Sequence, residues 1–306
     1  MIFCNQKPYD TMNPKKIEAL IGNTPLVETR NLVKNKNVRL LLKLEGNNPG
    51  GSVKDRAAFN MIAAALERGT LKRGDKLIEA TSGNTGIALA MIAQLMGIEI
   101  ELILPESATK ERTQTMRAFG ATVILTPAEE GIIGSRKYAD QKVAEGGYLM
   151  LNQFANNDNW KAHYKTTGPE IWRDTKGAVT HFVSAMGTTG TIMGTSTFLK
   201  EQNSDIQIIG AQPSEGSKIP GIRKWPKEFL PKIFNPKKVD QILEVSEAEA
   251  RAMTKRLALE EGIFAGMSSG GSVATAVKVA DSLDSGVVVA IVCDRGDRYL
   301  SSDLFE

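Results

Sequence analysis

Short apolar runs recur along this chain, each followed by a longer segment in which apolar residues return at helical spacing. RLLLKLE (39–45) precedes a helical pattern from about Val53 to Arg68, and KLIEA (76–80) leads through TSGNTG into IALAMIAQLMG. IEIELILP (98–105) precedes TKERTQTMRAFG, a helix expected to close on Gly120, and ATVILTP precedes GIIGSRKYADQKVAEGG. A helix is expected within NWKAHYKTTGPEIWRDT, followed by the strand THFVSAM, the turn GTTGT and another helix. IQIIGAQP (206–213), EAEARAMTKRLALEEG, SGGSVATAVKVADSL and GVVVAIVCD complete the series. Strands that alternate with helices are βα units around a parallel sheet, and a strand buried on both faces reads as an unbroken apolar run. The pattern predicts an α/β protein of two doubly wound lobes, with the first 45 or so residues packing on the second lobe. A length of 306 residues suits two domains.

Composition excludes several classes of function. A net charge of +3 gives no default reading as a polyanion binder, so no nucleic acid is expected. The longest pure apolar run, VVVAIVC (287–293), is too short to cross a bilayer, and the N-terminal residues lack the pattern of a signal peptide, so a cytoplasmic protein is expected. Cys4 and Cys293 stand far apart and outside any CxxC spacing, which argues against a disulfide framework or a zinc site. His163 and His181 have no metal-binding spacing and read as structural.

In doubly wound sheets, ligands bind outside the carboxyl ends of the strands. That rule gathers four turns on one side: GNNPGGSVK, TSGNTG, GTTGT and GMSSGG. The first is no P-loop, because its lysine comes two places after the serine, and no G-x-G-x-x-G occurs anywhere. GMSSG matches a nucleophile elbow, but both histidines lie upstream of it, against the order a hydrolase triad requires. GTTGT opens a helix whose first amides have no internal partner, which suits a phosphate dianion. TSGNTG offers neutral donors that suit a carboxylate. Each turn also reads as an ordinary capped helix start, and Lys54 as a solvated lysine with Asp55 and Arg56 paired beside it. Together, a lysine, a phosphate cradle and a carboxylate cradle are what pyridoxal phosphate and an amino acid need, with Lys54 placed to form the Schiff base.

KLEGNNPGGSVKDRA, EATSGNTGIALAMIA, SAMGTTGT, GMSSGG and CDRGDRYLS closely resemble the cysteine synthases, in the cysteine synthase and cystathionine β-synthase group of fold-type-II pyridoxal-phosphate enzymes. The correspondence extends over about residues 17 to 302. IPGIRKWPKE and CDRGDRYLS look like the B form of cysteine synthase, which also accepts thiosulfate. The resemblance implies a tryptophan synthase β-like fold with the active site between the lobes. Residues 1–45 and 159–306 would form the larger domain, which binds the cofactor phosphate, and 46–158 a smaller mobile domain.

The resemblance also implies the roles of individual residues. Lys54 would hold the cofactor and act as the base. Asn84 would bond its 3-oxygen, Gly187, Thr188, Thr189, Gly190 and Thr191 its phosphate, and Ser268 would face its ring nitrogen. Thr81, Ser82, Asn84, Thr85 and Gln153 would enclose the substrate carboxylate. Arg223, Lys224 and Trp225 would lie in a loop over the site, beside Cys293. Lys224 stands where the B form usually has a second arginine, and it lacks the planar fork that grips an oxyanion. The implied reaction is β-replacement of O-acetylserine by sulfide or thiosulfate through an α-aminoacrylate, in a homodimer acting on small molecules and needing no metal. The alternatives are an A-type or related enzyme using serine, phosphoserine or homocysteine, and a role in binding a partner through the cleft.

Overall fold

The computed structural model describes residues 16–81 and 83–306, and within them the chain forms two separate sheets. The larger has six strands in the order β1 (Leu26–Glu28), β2 (Val38–Leu44), β10 (Gly286–Val292), β7 (His181–Ala185), β8 (Gln207–Pro213), β9 (Gln241–Val245). Only β1 runs antiparallel, pairing Val27 with Leu42. The other pairs are parallel, with Val289 opposite Leu41 and Phe182, and Val183 opposite Ile209. The smaller sheet is wholly parallel, in the order β5 (Thr122–Thr126), β4 (Glu99–Pro105), β3 (Lys76–Ala80), β6 (Tyr148–Leu149).

Alternation along the central strands accounts for the layers. Leu40, Leu42, Val183, Ile209, Val288, Ala290 and Val292 enter one core with α8 (Glu247–Glu261) and α9 (Met267–Asp281). Leu41, Phe182, Ile208, Val289 and Ile291 enter the opposite core with α6 (Thr167–Asp174) and α7 (Gly190–Gln202). Successive side chains of a strand point to opposite faces, so an unbroken run such as VVVAIV serves both layers at once. In the smaller sheet, Leu77, Ile100, Leu102 and Leu104 pack with α1 (Lys54–Glu67), α2 (Asn84–Met96) and α3 (Lys110–Ala118). Ile78, Ala80 and Ile103 face α4 (Gly131–Glu145) on the other side.

The single helix expected near 159–175 is two, α5 (Asn157–Lys165) and α6, broken at Thr166. Thr166 leaves helical geometry at φ −129°, and its hydroxyl turns back to donate to the Ala162 carbonyl. Gly168 then brings α6 against Phe198, whose side chain would meet an added Cβ at 2.7 Å. The strands β1, β6 and β9 were not expected, for they are short or lie at a sheet edge, with little continuous apolar character.

Candidate active site

The carboxyl ends of β3, β7 and β10 and the loops that follow them converge on one cavity of about 190 Å³. Lys54, Thr81, Asn84, Thr85, Gln153, Gly187, Thr188, Thr189, Thr191, Ser268, Arg223 and Cys293 all line it. All four turns thus open into one space: TSGNTG and GTTGT through several residues each, GNNPGGSVK through Val53 and Lys54, and GMSSGG through Ser268.

The sequence Lys54–Asp55–Arg56 begins α1 and divides its three charges among three directions. Lys54 faces the cavity, and burial lowers its pKa against the pull of Cys293, Asp294 and Glu45. Asp55 folds back to accept the Gly50 amide, and burial pushes its carboxyl up to about 7. Arg56 turns inward, with bonds of 2.7 Å to each oxygen of Glu45 and of 2.6 and 2.8 Å to Glu170. The expected Asp55–Arg56 pair does not form, because consecutive helical residues point about 100° apart. Lys43, fully buried, completes the cluster at 2.9 Å from Glu170. The helix that carries Lys54 is therefore pinned two residues further on, and Val53 donates its amide to the Cys293 carbonyl at 2.8 Å.

The GTTGT turn has the features of a dianion cradle. Thr189 sits at φ +69°, ψ −1°, a left-handed conformation that β-branched residues rarely adopt and that costs about 1–3 kcal/mol. Its hydroxyl is buried without a hydrogen-bond partner among the described residues. A Cβ on Gly187 would come within 2.6 Å of the Gly221 carbonyl, and one on Gly190 would collide with the Asn159 amide. The strain and the orphaned hydroxyl both fit a phosphate held at the start of α7, among hydroxyls and free amides. Asn159 supports the turn from below, donating to the Gln153 carbonyl and to Thr188 Oγ1. His163 stands behind it, 3.4 Å from Thr191 Oγ1 and 2.9 Å from Thr167 Oγ1, and burial pushes it down to about 3, so its ring is neutral.

On the smaller sheet's side, Thr85 Oγ1 donates to Gln153 Oε1 at 2.8 Å, while Thr81 lines the same wall. Ser82 lies outside the described residues. The Asn84 amide is fixed from across the cleft: its Nδ2 donates to Asp294 at 2.7 Å, and Arg298 donates to its Oδ1 at 2.7 Å. Asp294 also accepts from Tyr299 at 2.8 Å. Ser268 is buried at the start of α9 and bonded to the Cys293 thiol, which burial and Asp294 push up to about 12. Trp225 donates to the Gly187 carbonyl at 2.7 Å, fixing the loop over the GTTGT turn. Lys224 and Trp225 line an adjoining pocket with Arg223 and not this cavity, and the Lys224 ammonium is 2.7 Å from Glu244 and 3.5 Å from Glu215.

Sequence reading missed Asp294, Arg298 and Tyr299 as parts of this wall, although CDRGDRYLS follows the carboxyl end of the last strand, where the ligand rule directs attention. Arg112, Phe154 and Gly221 also line the cavity. Among the described residues, no cluster of histidine, cysteine and carboxylates could hold a metal ion, and no helix is long and apolar enough to cross a membrane.

Comparison with known proteins agrees with this chemistry. Cysteine synthase B of Pseudomonas aeruginosa is 55% identical over 296 residues, covering 97% of this chain and 99% of that one. Cysteine synthase B of Escherichia coli is 55% identical over 289 residues, covering 94% and 95%. The crystal structure of cysteine synthase from Entamoeba histolytica superposes with a TM-score of 0.91 at 38% identity, covering 97% of this chain and 92% of that one. The pyridoxal-phosphate dependent enzyme family matches residues 17–294, and this chain, with its lysine at a helix start facing a strained turn, belongs to that family.

Proposed function

We propose that this protein makes cysteine by β-replacement, exchanging the acetate of O-acetylserine for sulfide, with thiosulfate as an alternative acceptor that gives S-sulfocysteine. The observation that carries the reading is the shared cavity: the Lys54 amine, the orphaned Thr189 hydroxyl and the neutral donors Thr81, Thr85 and Gln153 face one space. The relatives named cysteine synthase B support the choice of substrate class.

Lys54, Ser268 and the Gly187–Thr191 turn would hold pyridoxal phosphate, which supplies a sink for negative charge developing at the substrate's α-carbon. The chain's own residues do the rest. Thr81, Thr85 and Gln153 bind the amino acid's carboxylate with neutral donors. Lys54 takes the α-proton and later returns it; an unperturbed lysine, at about 10.4, would be protonated at neutral pH, and burial lowers it toward the range where an amine acts as a base. Ser268 would offer a neutral hydroxyl to the ring nitrogen, where a carboxylate would favour the protonated ring and deeper charge withdrawal. Asp294 and Arg298 hold the Asn84 amide, which would bond the cofactor's 3-oxygen. The reading includes a mobile unit of residues 46–158, a homodimer and a cytoplasmic location.

The test is the visible spectrum of the protein loaded with pyridoxal phosphate. A lysine-bound cofactor band should change on adding O-acetylserine and return on adding sulfide or thiosulfate, with cysteine or S-sulfocysteine and acetate as products. A protein that takes up no cofactor at Lys54 would sink the site assignment. A band indifferent to O-acetylserine would leave the cofactor and remove the substrate.

A further inference from the structure

Lys224 is spent on Glu244 and Glu215, yet a second cation stands beside the cavity wall, on a helix of the opposite lobe. The Arg136 guanidinium on α4 lies 5.4 Å from the centre of the Phe154 ring. Phe154 meets Trp225 edge-on at 5.5 Å, and the Arg223 guanidinium lies 5.6 Å from the Trp225 ring. A guanidinium from each lobe therefore flanks one aromatic pair, and Phe154 and Arg223 are part of the cavity wall. Burial lowers the pKa of Arg223, and the positive charge of Arg136 lowers it further, so the two cations feel each other.

Among the described residues, no carboxylate lies at ion-pair distance from either guanidinium. Glu79 on β3 is buried and accepts amides from residues 151–153. Burial pushes Glu79 up to about 7, although Arg136 pulls it down from longer range. Two like charges on either side of one aromatic pair, neither at ion-pair distance from a carboxylate among the described residues, suit a ligand that carries more than one negative charge. A planar guanidinium on each side also matches the oxygens of an oxyanion.

We propose that Arg136 is an acceptor-specificity residue, which with Arg223 receives the oxyanion end of a dianionic sulfur nucleophile such as thiosulfate and directs its terminal sulfur into the cavity. The inference rests on the β-replacement reading and deepens it. The step balances without an oxidant or reductant. The terminal sulfur forms a C–S bond at the donor's β-carbon where the C–O bond to acetate breaks, the S–S bond survives, and the α-proton removed by Lys54 is returned. Hydrosulfide, small and singly charged, has no oxygens for the two forks to grip, so its use does not depend on Arg136.

The experiment compares Arg136→Met, Arg136→Lys and Lys224→Met with the parent enzyme, each loaded with pyridoxal phosphate. After one turnover's worth of O-acetylserine, the rate at which the starting spectrum returns is measured against sulfide and against thiosulfate. Calorimetry separately measures thiosulfate binding to the loaded enzyme without any donor. A hydrogen bond to a charged group contributes about 1.5–3 kcal/mol, so Arg136→Met should lose roughly tenfold to a hundredfold in thiosulfate efficiency and in thiosulfate affinity. Its sulfide rate should stay within about twofold. Arg136→Lys keeps the aliphatic stem over Phe154 and should lose several-fold with thiosulfate alone, which answers the question if the methionine variant fails to fold. Lys224→Met should change neither acceptor. Equal losses with both acceptors, unchanged thiosulfate affinity, or a thiosulfate loss in Lys224→Met would overturn the assignment. A spectrum that never responds to O-acetylserine would strike the β-replacement reading instead, and calorimetry would still judge the anion site.

Discussion

Replacing Arg56 by methionine tests whether the Lys54 helix is held by buried charge. Arg56 is almost wholly buried and makes two bonds to Glu45 and two to Glu170, with Thr24 at 3.1 Å beside them. Removing it leaves two buried carboxylates with Lys43, which reaches Glu170 and, at 3.4 Å, Asp174. Breaking a buried pair by deleting one partner costs about 3–5 kcal/mol, chiefly through the charge left behind. The pH dependence should change sign. In the parent protein, burial alone would raise Glu170, but its bonds to Arg56 overcome this and hold it at about 2. A depressed carboxylate contributes stability that is present above its unfolded pKa, near 4.3, and lost as pH falls toward about 2. Without Arg56, burial dominates, the folded pKa of the carboxylates rises, and acidification from neutral toward pH 5 should restore stability. Urea unfolding of the loaded enzyme, followed by circular dichroism at pH 5, 6, 7 and 8, measures both effects. A loss under about 1 kcal/mol, or a loss that does not shrink toward pH 5, would refute the reasoning.

Other outcomes follow from the same geometry. Thr189→Gly should relieve the left-handed strain and stabilise the unloaded protein by about 1 kcal/mol, while weakening cofactor retention through loss of the orphaned hydroxyl; dialysis of the loaded enzyme and phosphorus NMR of the bound phosphate check the two halves. Gly190→Ala should abolish cofactor uptake, because its Cβ collides with Asn159 under the turn, and a fluorescence titration with pyridoxal phosphate measures it. The Cys293 thiol, held up at about 12, should resist iodoacetamide at pH 8 for hours while the protein is folded and react within minutes in urea, as read by mass spectrometry of the peptide.

Much of this was legible in the residues. The unbroken runs RLLLKLE and GVVVAIVCD announce strands covered on both faces, and three of the four glycine-bearing turns follow strands, whereas GMSSGG follows α8 and opens α9. Edge elements were not legible: β9 is QILEV with mostly exposed side chains, and its place depends on β8 offering a partner rather than on its own pattern. The wall built by Asp294 and Arg298 was hidden for another reason. Their partner Asn84 is more than two hundred positions away, and no local spacing reports a hydrogen bond that only the folded cleft creates. Lys224 was misplaced because charge alone does not say which way a loop side chain turns; Glu244, on the neighbouring β9, decides it.

The seven residues of β2 find their main neighbour in β10, which begins only at Gly286, and Val53 is anchored to Cys293. During synthesis, the segment that carries Lys54 leaves the ribosome long before the strand that completes its sheet. The strands from Lys76 to Leu149 can pair among themselves in the meantime, so the smaller sheet can be finished first. The apolar faces of β2 must wait, exposed or shielded by a chaperone, until the last portion of the chain arrives. A message truncated shortly before Gly286 would therefore yield a chain with one sound lobe and no cofactor site, and loading with pyridoxal phosphate can only be a late event in its maturation.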